Sequence, residues 1–185
     1  IIRNTMFGAQ CIKDGISDYF RQLTGRRPAI DKENPDIKIQ AIFRRGYLNI
    51  YLDVMGKSMH QRGYRKQQGA APLKENAASG LLLQAGWLDI ANANGALIDP
   101  FCGSGTFLIE AWQIATKSVP GLLLGEDFRI AWLGHDVSCW KKHYQSAKEA
   151  HEQAALKFDT PIIGFDIDPR MVDKAQQNIR AAGLD

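Results

Sequence analysis

Cysteine is scarce in this sequence. The 185 residues include three cysteines, Cys11, Cys102 and Cys139, which lie far apart and form no C-x-x-C pair. An odd number of widely spaced cysteines argues against a disulfide framework and against a cysteine-ligated zinc site. We therefore expect reduced thiols, no metal and a cytoplasmic location.

Long apolar segments are also missing. No stretch approaches the roughly 20 apolar residues that cross a bilayer, and the start shows no secretory signal pattern. We therefore expect no membrane partner. Hydrophobic residues make up 45% and charged residues 23% of the chain, as in ordinary globular domains. Because the chain begins at Ile1 rather than methionine, we also expect a processed or truncated protein.

Charge is distributed unevenly along the chain. Residues 1–70 carry a net charge of +7 and residues 71–185 a net charge of −4, within a total of +3. A basic part joined to a slightly acidic part is typical of a protein whose basic part meets a polyanion. Simple solvation of a small module's surface explains the same charge equally well.

The basic part contains one predicted helix and one predicted hairpin. Apolar residues recur at helical spacing from Phe7 to Leu23. After a loop rich in Gly, Pro and charge, apolar residues alternate on either side of a turn at Arg45-Gly46. We expect one face of this hairpin to be buried. A helix and a hairpin are too small to close a core, so the module looks incomplete.

From residue 72 the patterns predict helix, strand, helix, helix, strand, helix. The helices are expected at 72–87, at 104–116, in the segment after a loop at 118–135, and from Pro169 onward. The two short strands, "ALIDP" and "PIIGFDID", are expected to be buried. This order predicts an α/β fold that starts a parallel, doubly wound sheet. Most such sheets need more strands, so we expect the others beyond Asp185 or absent.

The third of these helices has one predicted apolar face. Its members recur every three or four residues and are Trp140, Tyr144, Ala147, His151, Ala154 and Phe158. On such a face His151 is expected to pack rather than to catalyse.

The segment "DPFCGSGTFLIEA", residues 99–111, joins the first strand to a helix through two glycines. Such a loop lets a ligand touch backbone, and the helix start favours an anion. Nucleoside triphosphates, dinucleotides and S-adenosylmethionine all fit this much. However, no Lys follows Gly105, as a phosphate-binding P-loop requires, and Leu108 stands where a dinucleotide fingerprint has its third glycine.

Two acids select among these ligands. Asp99 ends the first strand and Asp166 ends the second, so adjacent parallel strands bring them to one crevice. A carboxylate in the position of Asp166 can accept two hydrogen bonds from a ribose diol, and Asp99 can orient the glycine loop or meet an ammonium group. S-adenosylmethionine has both groups. Asp168, just before Pro169, is better explained as a helix cap.

These motifs resemble a known family. "DPFCGSGTFLIEA" and "GFDIDPRMV" are similar to the first two motifs of class I methyltransferases that modify exocyclic amino groups of nucleobases. "IRNTMFGAQCIKDGI", "PDIKIQ" and "HQRGYRKQQGAAPLKENAA" resemble bacterial 23S rRNA guanine-N2 methyltransferases that carry a THUMP RNA-binding domain. The resemblance runs over nearly the whole chain, and the "RGYR…APLKEN" block is its more specific part.

The resemblance implies two domains and a cofactor site. Residues 1–67 would be the C-terminal half of a THUMP domain and a linker, and residues 68–185 the N-terminal half of a Rossmann-like methyltransferase domain. S-adenosyl-L-methionine would be the cofactor and structured 23S rRNA the partner. The implied cofactor-binding residues are Asp99, Cys102, Gly103, Ser104, Gly105, Thr106, Asp166 and Ile167, with Asp166 on the ribose and Ile167 beside the adenine.

The family's catalytic motif, Asn/Asp-Pro-Pro-Tyr/Phe, does not occur in this sequence. We therefore expect no catalytic residue in this chain and no methyl transfer by these 185 residues alone; detectable transfer would contradict this. Alternatives are a tRNA guanine-N2 methyltransferase, an N6-adenine DNA methylase, and a non-catalytic RNA-binding module.

A cluster of basic and aromatic residues precedes the second domain. We predict that Arg62, Tyr64, Arg65 and Lys66 contact RNA, with Tyr64 stacking on a base or on an arginine. Tyr64 could equally anchor the linker on the methyltransferase domain. Cys102 lies near a helix start, where a thiolate could be favoured, but no base is placed to activate it, and we expect a small loop residue rather than a nucleophile.

Overall fold

The computed structural model describes residues 4–33, 35–55, 58–67, 69, 72–126 and 136–184. The described residues form two compact units that divide after residue 57. The segment 58–67, which the sequence analysis grouped with the first domain, thus belongs to the second unit. Among the helices of the described residues, none combines the length and the apolar character that a bilayer crossing needs.

The first unit begins with α1, Thr5–Thr24, which confirms the predicted helix. Asn4 caps its start, where Oδ1 accepts hydrogen bonds from the backbone N–H groups of Met6 and Phe7 at 2.9 and 3.2 Å. Gly25 ends the helix in the left-handed conformation, with φ +72°. The helix is thus defined by local capping at both ends.

The hairpin follows as β1, Lys38–Arg44, and β2, Tyr47–Asp53, paired antiparallel in full register. Arg45 and Gly46 both have positive φ, as a tight two-residue turn requires, which confirms the predicted turn. The expectation of a buried face is wrong for the described structure, because apolar side chains on both faces of the hairpin are exposed. Alternation places most of the predicted apolar residues, among them Ile39, Phe43 and Ile50, on one face. None of the described elements covers that face closely.

The first two helices of the second unit are short and stand where the sequence analysis expected one helix. Helix α2 spans Glu75–Gln84 and α3 spans Trp87–Asn92. Gly86, at φ +76°, separates them and redirects the chain. This turn buries the Trp87 ring, whose Nε1 donates to the Ala111 carbonyl at 2.8 Å. Burial of a large aromatic group explains why the helix breaks there.

Two short parallel strands form the sheet of this unit. Strand β3, Leu97–Asp99, is followed by α4, Thr106–Ala115, and β4, Ile162–Gly164, by α6, Pro169–Ala181. This confirms the predicted strand pairing. Leu97 and Ile162 pack into the core, whereas Ile98 and Ile163 are exposed, so the strands are not fully buried as expected. Alternate residues face opposite sides of the sheet, and the described helices cover one side.

The long connection contains a 3-10 helix, Pro120–Leu124, and α5, Val137–Lys157. The part of the predicted loop at 127–135 lies outside the described residues. All six residues of the predicted α5 face are partly buried, which confirms the helical spacing. His151 packs edge-on against Trp112, and its Nδ1 lies 2.8 Å from the Thr116 carbonyl oxygen, as expected for a packed histidine.

Candidate cofactor site

The glycine loop, residues 99–106, lies at the carboxyl end of the parallel sheet. Hydrogen bonds continue the strand pairing into it, because Phe165 N–H donates to the Asp99 carbonyl and Cys102 N–H to the Phe165 carbonyl, both at 2.8 Å. The chain then turns through Gly103 and Gly105, at φ +53° and +81°, and enters α4. Ligands of open α/β sheets bind at this edge.

The two glycines are required for different reasons. A Cβ atom on Gly105 would lie 3.1 Å from the Cβ of Ala175, so glycine here permits close approach of α6 as well as positive φ. A Cβ on Gly103 would meet nothing closer than the Met171 methyl at 3.9 Å. A side chain at position 103 would thus meet no steric obstacle, and it is the positive φ that favours glycine there.

Asp166 joins the two predicted motifs. One carboxylate oxygen accepts from Gly103 N–H at 3.0 Å and the other from Asp168 N–H at 2.9 Å. A carboxylate oxygen has two lone pairs, so each retains one acceptor position for a hydroxyl group. Beside it the Ile167 side chain is fully exposed. This pairing of acceptor and apolar surface fits a ribose and its base.

The other two acids act on local backbone. Asp99 Oδ1 accepts from Phe101 N–H at 3.0 Å and so orients the start of the glycine loop. Asp168 caps α6, as predicted, by accepting from Arg170 N–H at 3.0 Å. Hydrogen bonds from the Arg170 side chain and backbone lower the pKa of the Asp168 carboxyl below its ordinary value.

Cys102 is 7% exposed and packs with Leu108 and Ala175. Burial, and then the charges of Asp99 and Asp166, raise the pKa of its thiol. The neutral thiol is thus favoured, contrary to what a nucleophile needs. This agrees with the expected role of a small loop residue.

The segment 62–67 lies against helices of the second unit. Tyr64 is 2% exposed, and its hydroxyl donates to Glu110 Oε1 at 2.8 Å. Arg62 Nε donates to both oxygens of the same carboxylate at 3.0 and 3.1 Å, and Ser79 also donates to it. Burial beside Glu110 raises the pKa of the Tyr64 hydroxyl. Of the two alternatives for Tyr64, the structure favours anchoring, since no ring face is open to a base.

Arg65 and Lys66 differ in exposure. The buried Arg65 guanidinium donates through Nη2 to Thr106 Oγ1 at 3.1 Å and to the Leu73 carbonyl, and lies beside Glu75. The Lys66 side chain is exposed. Within the predicted RNA-contacting set, Lys66 is therefore accessible, whereas the guanidinium groups of Arg62 and Arg65 are engaged inside the unit.

Sequence reasoning missed Glu110 and Asn178. Glu110 is a lone acid in the apolar run "TFLIEAW", and this isolation was an available signal. Asn178 is 1% exposed on the inner face of α6, where its carboxamide bonds to residues 66, 67 and 104. Its spacing of three from buried Ala175 was the only hint. In the described part of the chain, no group of three or more His, Cys, Asp or Glu residues could hold a metal ion.

Two family models match the chain. The RMKL-like methyltransferase domain model matches residues 62–185, and the THUMP domain model matches residues 1–53. Together they confirm the predicted combination of a THUMP domain and a class I methyltransferase fold.

Curated relatives match over almost the whole chain. Proteins named ribosomal RNA large subunit methyltransferase K/L from Legionella pneumophila strain Philadelphia 1 and Pseudomonas aeruginosa PAO1 are each 46% identical, over 99% of this chain. The chain spans about a quarter of the length of these relatives, 25% in both cases.

Two solved structures share the fold. SMU.472, described as a methyltransferase and crystallised with SAH, is 31% identical with a TM-score of 0.72; the match covers 92% of this chain and 43% of that one. A Listeria monocytogenes protein described as an N6-adenine-specific DNA methylase is 30% identical with a TM-score of 0.74, covering 94% and 43%.

Proposed function

Because the chain belongs to the family of RMKL-like methyltransferase domains, we propose that it binds S-adenosyl-L-methionine and takes part in methylating large-subunit ribosomal RNA. The cofactor proposal is carried by the hydrogen bonds of Asp166. Its carboxylate accepts from the N–H of Gly103 in the glycine loop and keeps acceptor positions free for hydroxyl groups at the sheet edge. The names of the relatives and the THUMP match support an RNA substrate.

Different residues of the site contact different parts of the cofactor. Asp166 accepts hydrogen bonds from the ribose hydroxyls, and the exposed Ile167 packs on the adenine. The loop from Cys102 to Thr106, with Asp99, holds the methionine end. The cofactor supplies an electrophilic methyl group on a sulfonium. The protein's own contribution at this site is to hold that methyl group in a fixed position.

The RNA partner is 23S rRNA, and the accepting atom is the exocyclic N2 of a guanine. The net charge of +7 on residues 1–70 supports a polyanionic binding partner for this part of the chain. In segment 62–67 we assign RNA contact to the exposed Lys66. Arg62, Tyr64 and Arg65 serve the RNA indirectly, by anchoring that segment. The protein works in the cytoplasm, where ribosomes are made.

The test of substrate uses the full-length protein with methyl-labelled S-adenosylmethionine. Unmodified 23S rRNA, tRNA and duplex DNA are offered separately, and the labelled nucleoside is identified after digestion. We expect N2-methylguanosine from 23S rRNA. N2-methylguanosine from tRNA instead would show that the substrate is tRNA and not 23S rRNA. N6-methyladenine from DNA, the activity described for the Listeria neighbour, would overturn the RNA proposal and keep the cofactor site.

The test of the cofactor site uses Ile167→Ala. Because the side chain is fully exposed, folding should not change, while loss of the contact with adenine should weaken S-adenosylmethionine binding about fivefold. Asp173→Ala, an exposed acid on α6, is the matched control and should bind as wild type does. Equal affinity of Ile167→Ala and wild type by calorimetry would contradict the assigned adenine position.

A further inference from the structure

Asn178 uses its whole hydrogen-bonding capacity inside the second unit. Its Oδ1 accepts from the N–H groups of Lys66 and Gln67 at 2.9 and 3.0 Å. Its Nδ2 donates to the carbonyls of Gln67 and Ser104 at 3.0 and 2.9 Å. A carboxamide has two lone pairs and two donor hydrogens, so all four are satisfied. One buried side chain thus links segment 62–67, helix α6 and the glycine loop.

A second link reaches the loop on the other side of Gly105. Arg65 Nη2 donates to Thr106 Oγ1 at 3.1 Å, and the same guanidinium lies 3.3 Å from Glu75. Ser104 and Thr106 are therefore both tied to segment 62–67, one through Asn178 and one directly. Gly105 lies between the two ties, against Ala175.

We propose that Asn178 and Arg65 are positioning residues for the cofactor, because they make the conformation of the glycine loop depend on the docking of segment 62–67. This inference rests on the proposed binding of S-adenosylmethionine by the loop. A loop that lacks these ties samples other conformations, and the apparent affinity falls by the fraction that remains competent. Since the dependence is reciprocal, bound cofactor should in turn stabilise the docked segment.

The coupling gives the "RGYR" block a role that its charge alone does not reveal. Its first arginine and its tyrosine are held by Glu110, while its last arginine reaches the loop. The block starts at residue 62, shortly after the division between the two units at residue 57. Anything that pulls the segment off these helices should therefore weaken cofactor binding without touching the cofactor.

The first test compares Asn178→Asp with wild type in the full-length protein. Aspartate can still accept from the N–H groups of Lys66 and Gln67 but cannot donate to the carbonyls of Ser104 and Gln67. The tie to the loop is therefore lost, while two of the three bonds to segment 62–67 remain. We expect the Kd for S-adenosylhomocysteine, the demethylated cofactor, to rise about tenfold, and kcat at saturating cofactor to change less than threefold. Gln177→Ala, an exposed neighbour on α6, should bind as wild type does. Wild-type affinity in Asn178→Asp would overturn the proposal.

A second measurement needs no variant and so does not depend on the folding of Asn178→Asp. Hydrogen exchange of the Lys66 and Gln67 amides is followed with and without saturating S-adenosylhomocysteine. We expect bound ligand to slow both at least fivefold. Unchanged exchange while ligand is bound would overturn the coupling and leave the cofactor site standing. Failure of wild type to bind the ligand at all would instead overturn the proposed function.

Discussion

Replacing Glu110 with alanine should destabilise the second unit strongly. The carboxylate is almost completely buried and receives hydrogen bonds from Arg62, Tyr64 and Ser79. Its removal leaves a guanidinium that is 9% exposed without its counter-charge. Breaking a buried ion pair by removing one partner costs about 3 to 5 kcal/mol. An exposed pair contributes at most about 1 kcal/mol, so burial decides the size of this effect.

Thermal unfolding provides the assay. For a chain of this size about 2 to 4 °C is lost per kcal/mol, so Glu110→Ala should lower Tm by about 6 to 20 °C. The matched control is Glu152→Ala, which breaks the exposed pair with Lys148 on α5 and should lower Tm by less than about 2 °C.

The double variant Arg62→Ala/Glu110→Ala tests the reasoning itself. Each single variant leaves the other charge buried and unpaired, whereas the double variant leaves neither. It should therefore lose less stability than the two single variants together, by more than about 1 kcal/mol. Strict additivity would refute the view that the cost comes from an orphaned charge.

Three further predictions concern the cofactor edge. Burial raises the pKa of Cys102, so at pH 8 iodoacetamide should modify it at least tenfold more slowly than the exposed Cys139, and equal rates by peptide mass spectrometry would contradict this. Gly105→Ala meets positive φ and a close neighbour and should cost about 1 to 3 kcal/mol in denaturant unfolding, whereas Gly80→Ala, in open space within α2, should stabilise by about 0.5 kcal/mol. The lowered pKa of Asp168 means that its charged form stabilises the fold above pH 3.8, with the contribution lost as pH falls further. The stability gap between wild type and Asp168→Asn should accordingly close below that pH, and a gap that is independent of pH would contradict the assignment.

Local patterns were sufficient to predict most elements. The spacing of apolar residues in α1 and α5, the Arg45-Gly46 turn and the cap at Asp168 each depend on residues close in sequence. The sequence also indicated that Asp99 and Asp166 meet at one edge, because parallel pairing follows from the order of elements. In the structure Asp99 is the last residue of β3, whereas Asp166 lies just beyond β4, which ends at Gly164. These parts of the fold and of the site are encoded locally.

The partners of buried polar groups could not be predicted in this way. In the sequence Arg62 and Tyr64 indicate a basic, aromatic surface patch. Their shared partner Glu110, however, lies 48 residues from Arg62 and 46 residues from Tyr64. Only the tertiary structure brings them together. Likewise, alternation showed which hairpin residues share a face but not whether any element covers that face. Periodicity defines faces, whereas burial depends on what packs against them.

The hydrogen bonds of Asn178 have a consequence for biosynthesis. Gln67 and its partner are 111 residues apart. At about 5 to 20 residues per second, the segment waits roughly 6 to 22 s before that partner is made. Ribosome-bound chains arrested before residue 178 should therefore be cut by trypsin after Lys66 faster than chains long enough for Asn178 to have left the ribosome. A stretch translated early thus gains its hydrogen bonds to Asn178 only after 111 further residues have been made.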